Sequence, residues 1–293
     1  MTARASNWSQ PKFIDGAIHV LQAEGYLTKG MTTPATNQNG ATVTWRLAGK
    51  GEATEMSPAI EERPTLNADR TTVTATMKDY EANEWINVMD LQKMSEAEIQ
   101  VAQKTVGYAL GRRYDKTLFE ALDAANLTAT QIGNGTAAIS ILDAMNGQAS
   151  LLAQGISGVP KIWVALPYGL MAQLMLFREF ANSDYIGDDL PLRKQLGAKS
   201  WLGMNFVPFP DSYFNVPAAN QIDGYMWLQP SVGFATPTDA EGKIREATRV
   251  DYVPTKKAHY VASTMSACST VLMTEGVRRL RFATNVALSR PNP

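Results

Sequence analysis

Two stretches of strict alternation, separated by a long polar connection, constrain this sequence more than anything else in it. In residues 41–47, Val43, Trp45 and Leu47 alternate with Thr42, Thr44 and Arg46. That is the period-two pattern of a half-buried strand. In residues 71–77, Thr72, Thr74 and Thr76 alternate with Thr71, Val73, Ala75 and Met77. The two runs are expected to pair as a hairpin. The connection between them is polar and charged, with Met56, Ile60 and Leu66 as its large apolar residues. A two-stranded hairpin with so small a core is marginal by itself. A connection beyond about 12–15 residues is functional or disordered in most compact proteins. This hairpin is therefore expected to take its rigidity from outside, most simply from another copy of the chain.

A long helix follows. Ser95-Glu96-Ala97-Glu98 reads as a capping box, with Glu98 reaching back to the cap. Ile99, Ala102, Val106, Leu110, Tyr114, Leu118, Leu122 and Ala125 continue one apolar stripe. At 1.5 Å per residue the helix over 95–125 spans about 45 Å, the length of a structural strut. Gly107 and Gly111 interrupt it, each at about 1 kcal/mol against Ala. They mark either a close approach of another backbone or a bend.

On either side the pattern is less regular. Residues 11–30 hold one amphipathic turn sequence, Phe13, Ile14, Ala17, Ile18 and Leu21, with Gly30 suited to a stop. Residues 31–40 are rich in Thr, Asn and Gln and read as extended linker. Beyond Asn134 the pattern becomes mixed α/β. A helix is expected over 136–153, on the apolar positions Ala138, Ile141, Leu142, Met145, Ala149 and Leu152. Strands are expected at 161–166, 201–209 and 225–228, and a helix at 167–177 with proline in its first turn. The C-terminal part returns to strands at 248–253 and 259–273. After a turn at 274–276, Val277, Leu280 and Phe282 are interleaved with Arg278, Arg279 and Arg281.

Composition narrows the function. The 293 residues are 45% hydrophobic and 19% charged, enough to build cores and to exclude wholesale disorder. Net charge is −1, so a general polyanion binder is not expected. That balance hides an asymmetry. Residues 41–90 carry five Lys/Arg against nine Asp/Glu, whereas residues 243–293 carry nine against three. An acidic hairpin and a basic C-terminal sheet would attract one another between copies.

One cysteine, Cys268, excludes an intrachain disulfide framework and suits a reducing cytosol. The polar start of the chain does not read as a signal peptide. Residues 162–177, the most apolar stretch, are short for a membrane span.

Two histidines, His19 and His259, leave little for acid–base or metal chemistry. There is no P-loop, dinucleotide fingerprint or zinc spacing. Gly133-Asn134-Gly135-Thr136 lacks the lysine of a phosphate loop and reads as a turn feeding a helix cap. Asp184, Asp188 and Asp189 read as a solvated loop rather than a calcium site. Cys268 reads as a small buried side chain, and His259 beside Tyr260 as an ordinary packed or surface residue. No catalytic residue, cofactor or metal is expected.

The order of these parts resembles the major capsid proteins of tailed bacteriophages, which share the Hong Kong ninety-seven fold. The resemblance covers essentially the whole chain. It rests on the arm, the hairpin over 41–80, the segment Trp85-Ile86-Asn87-Val88-Met89-Asp90, and the helix carrying Ala109-Leu110-Gly111-Arg112-Arg113-Tyr114-Asp115 and Leu118-Phe119-Glu120-Ala121-Leu122. It continues through a mixed α/β lobe to a closing segment from Lys257-Ala258-His259-Tyr260-Val261 to Thr274-Glu275-Gly276-Val277.

The resemblance implies an α+β fold. Its parts would be an N-terminal arm (1–40), an extended loop (41–84), a peripheral domain (85–134 and 245–293) with a spine helix (95–125), and an axial α/β domain (135–244). It further implies pentamers and hexamers closing into an icosahedral shell around double-stranded DNA, in a virion assembled in the host cytoplasm. Scaffold, portal and decoration proteins would be partners; a membrane would not. Intersubunit contact is expected from Trp8 on the arm and from Trp45, Arg46, Lys50, Glu52, Glu55, Glu61, Glu62, Arg63 and Arg70 on the loop. Arg278, Arg279 and Arg281 are expected to form the basic face that meets them. Trp45 and Trp85 would anchor the hairpin either on a partner or on its own base. Arg4, Lys12 and Lys29 are candidates for non-specific DNA contact. Two other readings stay open: an encapsulin-like compartment with an enzyme cargo, and an α/β enzyme built on residues 136–242.

Overall fold

The computed structural model describes residues 25–35, 37–39, 41–51, 69–91, 97–155, 161–177, 198–237 and 247–286, together with residues 53, 55 and 65. The chain divides into two compact units. One comprises Met1–Gly25, Tyr80–Arg113 and Arg245–Met265; the other comprises Tyr26–Asp79, Tyr114–Ile244 and Ser266–Pro293.

The second unit contains the expected hairpin. Strand β1 (Asn37–Asn39) pairs with β2 (Thr42–Ala48), which pairs with β3 (Arg70–Thr76), all antiparallel. Residues 31–40, read as linker, thus supply an edge strand. In the first unit, β4 (Lys78–Asn87) continues the chain and pairs with β12 (Ala258–Val271). Residues 78–84 therefore belong to a sheet, not to the extended loop. On its other edge β12 pairs with β11 (Ala247–Val253), with Val250 opposite Val261. The inner face of this sheet carries Ala82, Ile86 and Val261, which pack on Ile99, Ala102 and Val106.

A short helix, α1 (Val88–Leu91), follows β4. The long helix is α2 (Ala97–Ala124). Ser95 and the side chain of Glu98, the expected capping pair, lie outside the described residues. Its stripe is buried at Ala102, Val106, Leu110, Tyr114, Leu118 and Leu122. Of its two glycines, Gly111 marks a close approach. Gly25, at φ +86°, rests on it so tightly that a Cβ there would overlap the Gly111 backbone. Nothing lies within 4 Å of where a Cβ at Gly107 would sit.

The core of the second unit is a six-stranded sheet. Its strands are β5 (Gln131–Ile132), β6 (Ile162–Pro167), β7 (Lys199–Trp201), β8 (Met204–Phe209), β9 (Gln221–Leu228) and β13 (Val277–Ala283), in the order β5-β13-β9-β6-β8-β7. The strand expected over 201–209 is a hairpin instead. Leu202 (φ 49°) and Gly203 (φ 75°) make its turn, the two left-handed residues a tight hairpin requires. β13 pairs with β9 over its whole length. The C-terminal strand therefore closes this sheet rather than joining β11, and a domain boundary at 244/245 does not describe it.

Helix α3 (Ile141–Leu152) starts later than the expected residue 136. Ser140 caps it, accepting from Asp143 N while Asp143 binds back to the cap backbone. Helix α4 (Tyr168–Leu174) is shorter than the expected 167–177, with Pro167 as its N-cap rather than in its first turn. A ring cluster fills the centre of the unit: Phe119 lies 5.0 Å from both Phe209 and Phe214 and stacks on Tyr213. Finally, β10 (Val232–Ala235) pairs with the second half of β12. Among the described residues no helix is long and apolar enough to cross a membrane.

Candidate assembly surfaces

The hairpin is better supported than its composition suggests. Val43 and Trp45 point inward and are buried, Trp45 to 2% exposure, against Ala235, Cys268 and Leu272. The indole rests against Gly233, where an added Cβ would sit 2.6 Å from its ring. Trp45 thus holds the hairpin to its own chain, the second of the two placements the sequence left open. Burial pushes the Cys268 thiol up to about 11, as expected of a small packed side chain.

On the polar face of the same strands the described side chains are exposed or half-buried. Arg46 and Arg70 are exposed, as is Glu55. Lys50 donates from Nζ to the Gln154 carbonyl at 3.0 Å, at the end of α3. Trp8, Glu52, Glu61, Glu62 and Arg63 lie outside the described residues, as do Arg4, Lys12 and Asp184, Asp188 and Asp189.

The expected basic face is not assembled on β13, because its arginines are used within the chain. Arg278 is 5% exposed. It donates to the Ser150 hydroxyl and to the carbonyls of Ser150, Glu275 and Val277. Arg281 grips the fully buried Asp223 with two bonds, Nε to Oδ1 at 2.6 Å and an Nη to Oδ2 at 2.8 Å. The two residues face one another across the β13–β9 register. Arg279 lies 3.8 Å from the same carboxylate and donates to the carbonyls of Asp123 and Ala125 where α2 ends. Removing one partner of a buried pair strands the other charge. Arg281→Ala is expected to cost about 3 kcal/mol, the low end for such pairs because Arg279 remains. Urea unfolding measures it.

Residues 26–31, within the segment read as an arm, are also held by their own chain. Asp115, fully buried on α2, accepts from the backbone N–H of Leu27 and Thr28 and from the Thr28 hydroxyl. Tyr26 packs on Tyr114, whose hydroxyl is pushed up to about 12 by burial and by Asp115. The Met31 carbonyl accepts from Trp227 Nε1 at 2.9 Å. Burial raises the Asp115 carboxyl, while the bonds from Thr28 and Leu27 act the other way.

The unfolded chain consequently loses this proton at a lower pH than the folded one. The stabilising contribution is complete below about pH 4, the ordinary carboxylate value. It declines as pH rises through the folded value. Asp115→Asn is expected to remove that slope, read as the difference between urea melts of the two proteins across pH 4 to 7. Sequence periodicity held the signal: Asp115 sits on the flank of the α2 stripe, four residues from the buried Phe119.

In the first unit, the outer face of the β4–β12–β11 sheet is uncovered among the described residues. Trp85, 44% exposed, packs on Tyr260 at 4.5 Å and under the Lys256 ammonium at 4.0 Å. Tyr260 donates to Glu81, and a cleft of about 280 Å³ is lined by Glu81, Arg249, Asp251, Tyr260, Ala262 and Thr264. The pairing of Trp85 with an aromatic of a distant strand was not visible in sequence. Among the described residues no three His, Cys, Asp or Glu side chains gather as a metal site.

The chain thus combines a long helix, a hairpin seated on its own core and two sheets, a mixed helix and sheet fold. The profile of phage capsid proteins matches residues 5–284, and the chain belongs to that family: it is a structural capsid protein of a phage virion. Its fold is that of solved capsids. The cyanophage Pam1 capsid aligns at TM-score 0.72 and 11% identity over 97% of this chain and 99% of that one. The capsid of Ralstonia phage GP4 aligns at 0.67 and 11% over the whole of both chains. The capsid of cyanophage P-SCSP1u aligns at 0.67 and 12% over 94% and 93%. No curated protein matches the sequence.

Proposed function

We propose that this chain assembles as pentamers and hexamers into an icosahedral shell around phage double-stranded DNA, in the host cytoplasm. The six-stranded lobe is the axial domain, the β4–β12–β11 sheet with the first half of α2 the peripheral domain, and residues 49–69 the extended loop that lies on a neighbouring copy. Scaffold and portal proteins are partners of such a shell.

One observation carries the loop assignment. The hairpin is anchored at its root by Trp45 and Val43, and its strands remain paired out to Ala48 and Arg70. The acidic connection is thus delivered from a fixed stem. The β13 arginines are engaged within their own chain, which argues against them as the complement of the connection's glutamates. The basic groups of the outer sheet face, Arg249 and Lys256, are the better complement on a neighbour.

Purified particles test the reading. Nucleic acid extracted from them is expected to be double-stranded DNA of one length. Particles filled with an enzyme and free of DNA would replace the virion with a protein compartment.

A further inference from the structure

The apolar positions of α3 read from sequence as its core face. The structure turns most of them to solvent. Leu142 is 67% exposed, Met145 42% and Leu152 44%, with Ala149 exposed between them. At spacings of three, four and three residues they form one stripe. The helix buries its opposite side, Ile141, Ala144, Gly147 and Leu151.

A merely solvated face would carry charge, yet the one charged residue of this helix is Asp143, which is spent in the cap. The stripe continues onto the β7–β8 turn, where Leu202 is 51% exposed and its carbonyl accepts from Gln148. That turn lies at the end of the six-stranded sheet where β6 begins, since Ile162 pairs with Met204.

A second apolar pair lies at the opposite end of the same sheet. Tyr168, 45% exposed, directly follows Pro167, which pairs with Phe209 at that end. Val216, 58% exposed, follows Asn215, whose carbonyl is held by Asp223 N.

We infer that the α3 stripe with Leu202 is a docking face for a second copy of this chain, and that the Tyr168 and Val216 end of that copy fills it. This inference rests on the proposed shell function and names side chains within it. The placement at two ends of one sheet makes the contact head-to-tail, the type that closes into rings. The lack of charge disfavours nucleic acid as occupant, because phosphate binding draws on Lys and Arg. The few side chains involved supply only part of the roughly 800 Å² each partner buries in a stable isolated pair. A contact repeated around a ring reinforces itself without that area.

Thiol labelling tests this cleanly. Native Cys268 is buried, so a cysteine placed at the surface is the reactive one. Leu142→Cys and, separately, Val216→Cys are labelled with a maleimide in particles and in protein dissociated from them below its unfolding midpoint. Both are expected to react at least tenfold more slowly in particles. Leu142→Asp, at a site outside the core, is expected to keep the wild-type thermal melt and cut particle yield at least tenfold.

Equal labelling in both states, or normal yield from the Asp variant, overturns the contact while leaving the shell intact. So does protection at 142 that depends on a second protein species in the particles. Protection at 142 with Val216→Cys fully reactive overturns the head-to-tail pairing. If wild-type protein forms no particles at all, the shell reading fails first and this contact with it.

Discussion

Replacing residues 49–69 with a two-residue Asn-Gly turn is expected to leave a folded chain that no longer forms the proposed shells. The stem ends on the pair Ala48 and Arg70, with Gly49 N donating to the Asp69 carbonyl at 2.6 Å. A two-residue turn with left-handed residues closes such a pair without disturbing its register. Val43 and Trp45, which hold the stem to β10 and β12, are untouched. The thermal midpoint is therefore expected to shift by only a few degrees, about what 1 kcal/mol does in a chain this long. Particle yield by sedimentation is expected to fall to background. Normal shells from the shortened chain would show that the connection does not bind a neighbour.

Trp45→Ala is expected to have the largest effect on the fold itself. The indole is buried against Ala235, Cys268 and Leu272 and covers Gly233. Truncating a core tryptophan costs about 3–5 kcal/mol, because lost burial adds to the cavity left behind. Chemical denaturation measures the loss. Arg46→Ala on the exposed face of the same strand serves as control, with a change within about 0.5 kcal/mol. Gly233→Ala reaches the same contact from the other side by forcing the indole off its seat. If Trp45→Ala proved as mild as the control, the hairpin would be held from outside the chain after all.

That outcome matters because composition pointed the wrong way at this site. The alternation of Val43, Trp45 and Leu47 revealed the strand and its inward face. It did not reveal that Cys268 and Leu272, more than two hundred residues later, would complete a core beneath it. The hairpin looked core-poor because the rest of its core comes from Ala235 on β10, Cys268 on β12 and Leu272 just beyond it.

The α2 stripe, by contrast, was legible residue by residue, since a long helix with one apolar face leaves a single choice of what to bury. Helix α3 offered two choices. With one charged residue in twelve, both faces are apolar, and periodicity cannot decide between them. Sequence reading chose the face that the structure leaves in solvent.

The β13 arginines failed for a related reason. Their alternation with Val277, Leu280 and Phe282 identified the strand correctly. Whether an arginine faces solvent or a buried carboxylate depends on the strand opposite, and Asp223 declares itself only through the register with β9. The single acidic residue inside the otherwise apolar run of β9 was the available hint that a cation must lie across from it. The charge asymmetry between hairpin and C-terminal sheet remains, but its positive side is carried outward by Arg249 and Lys256 rather than by β13.

The account stands or falls on whether copies of this chain close on one another. Electron microscopy of the particles formed by the purified protein measures that directly. Closed shells of uniform diameter are expected, resolving into rings of five and six subunits, with residues 49–69 of each chain lying across a neighbour. A protein that stays a single chain at every concentration and in every co-expression, or that forms shells with this segment folded back on its own subunit, would contradict it.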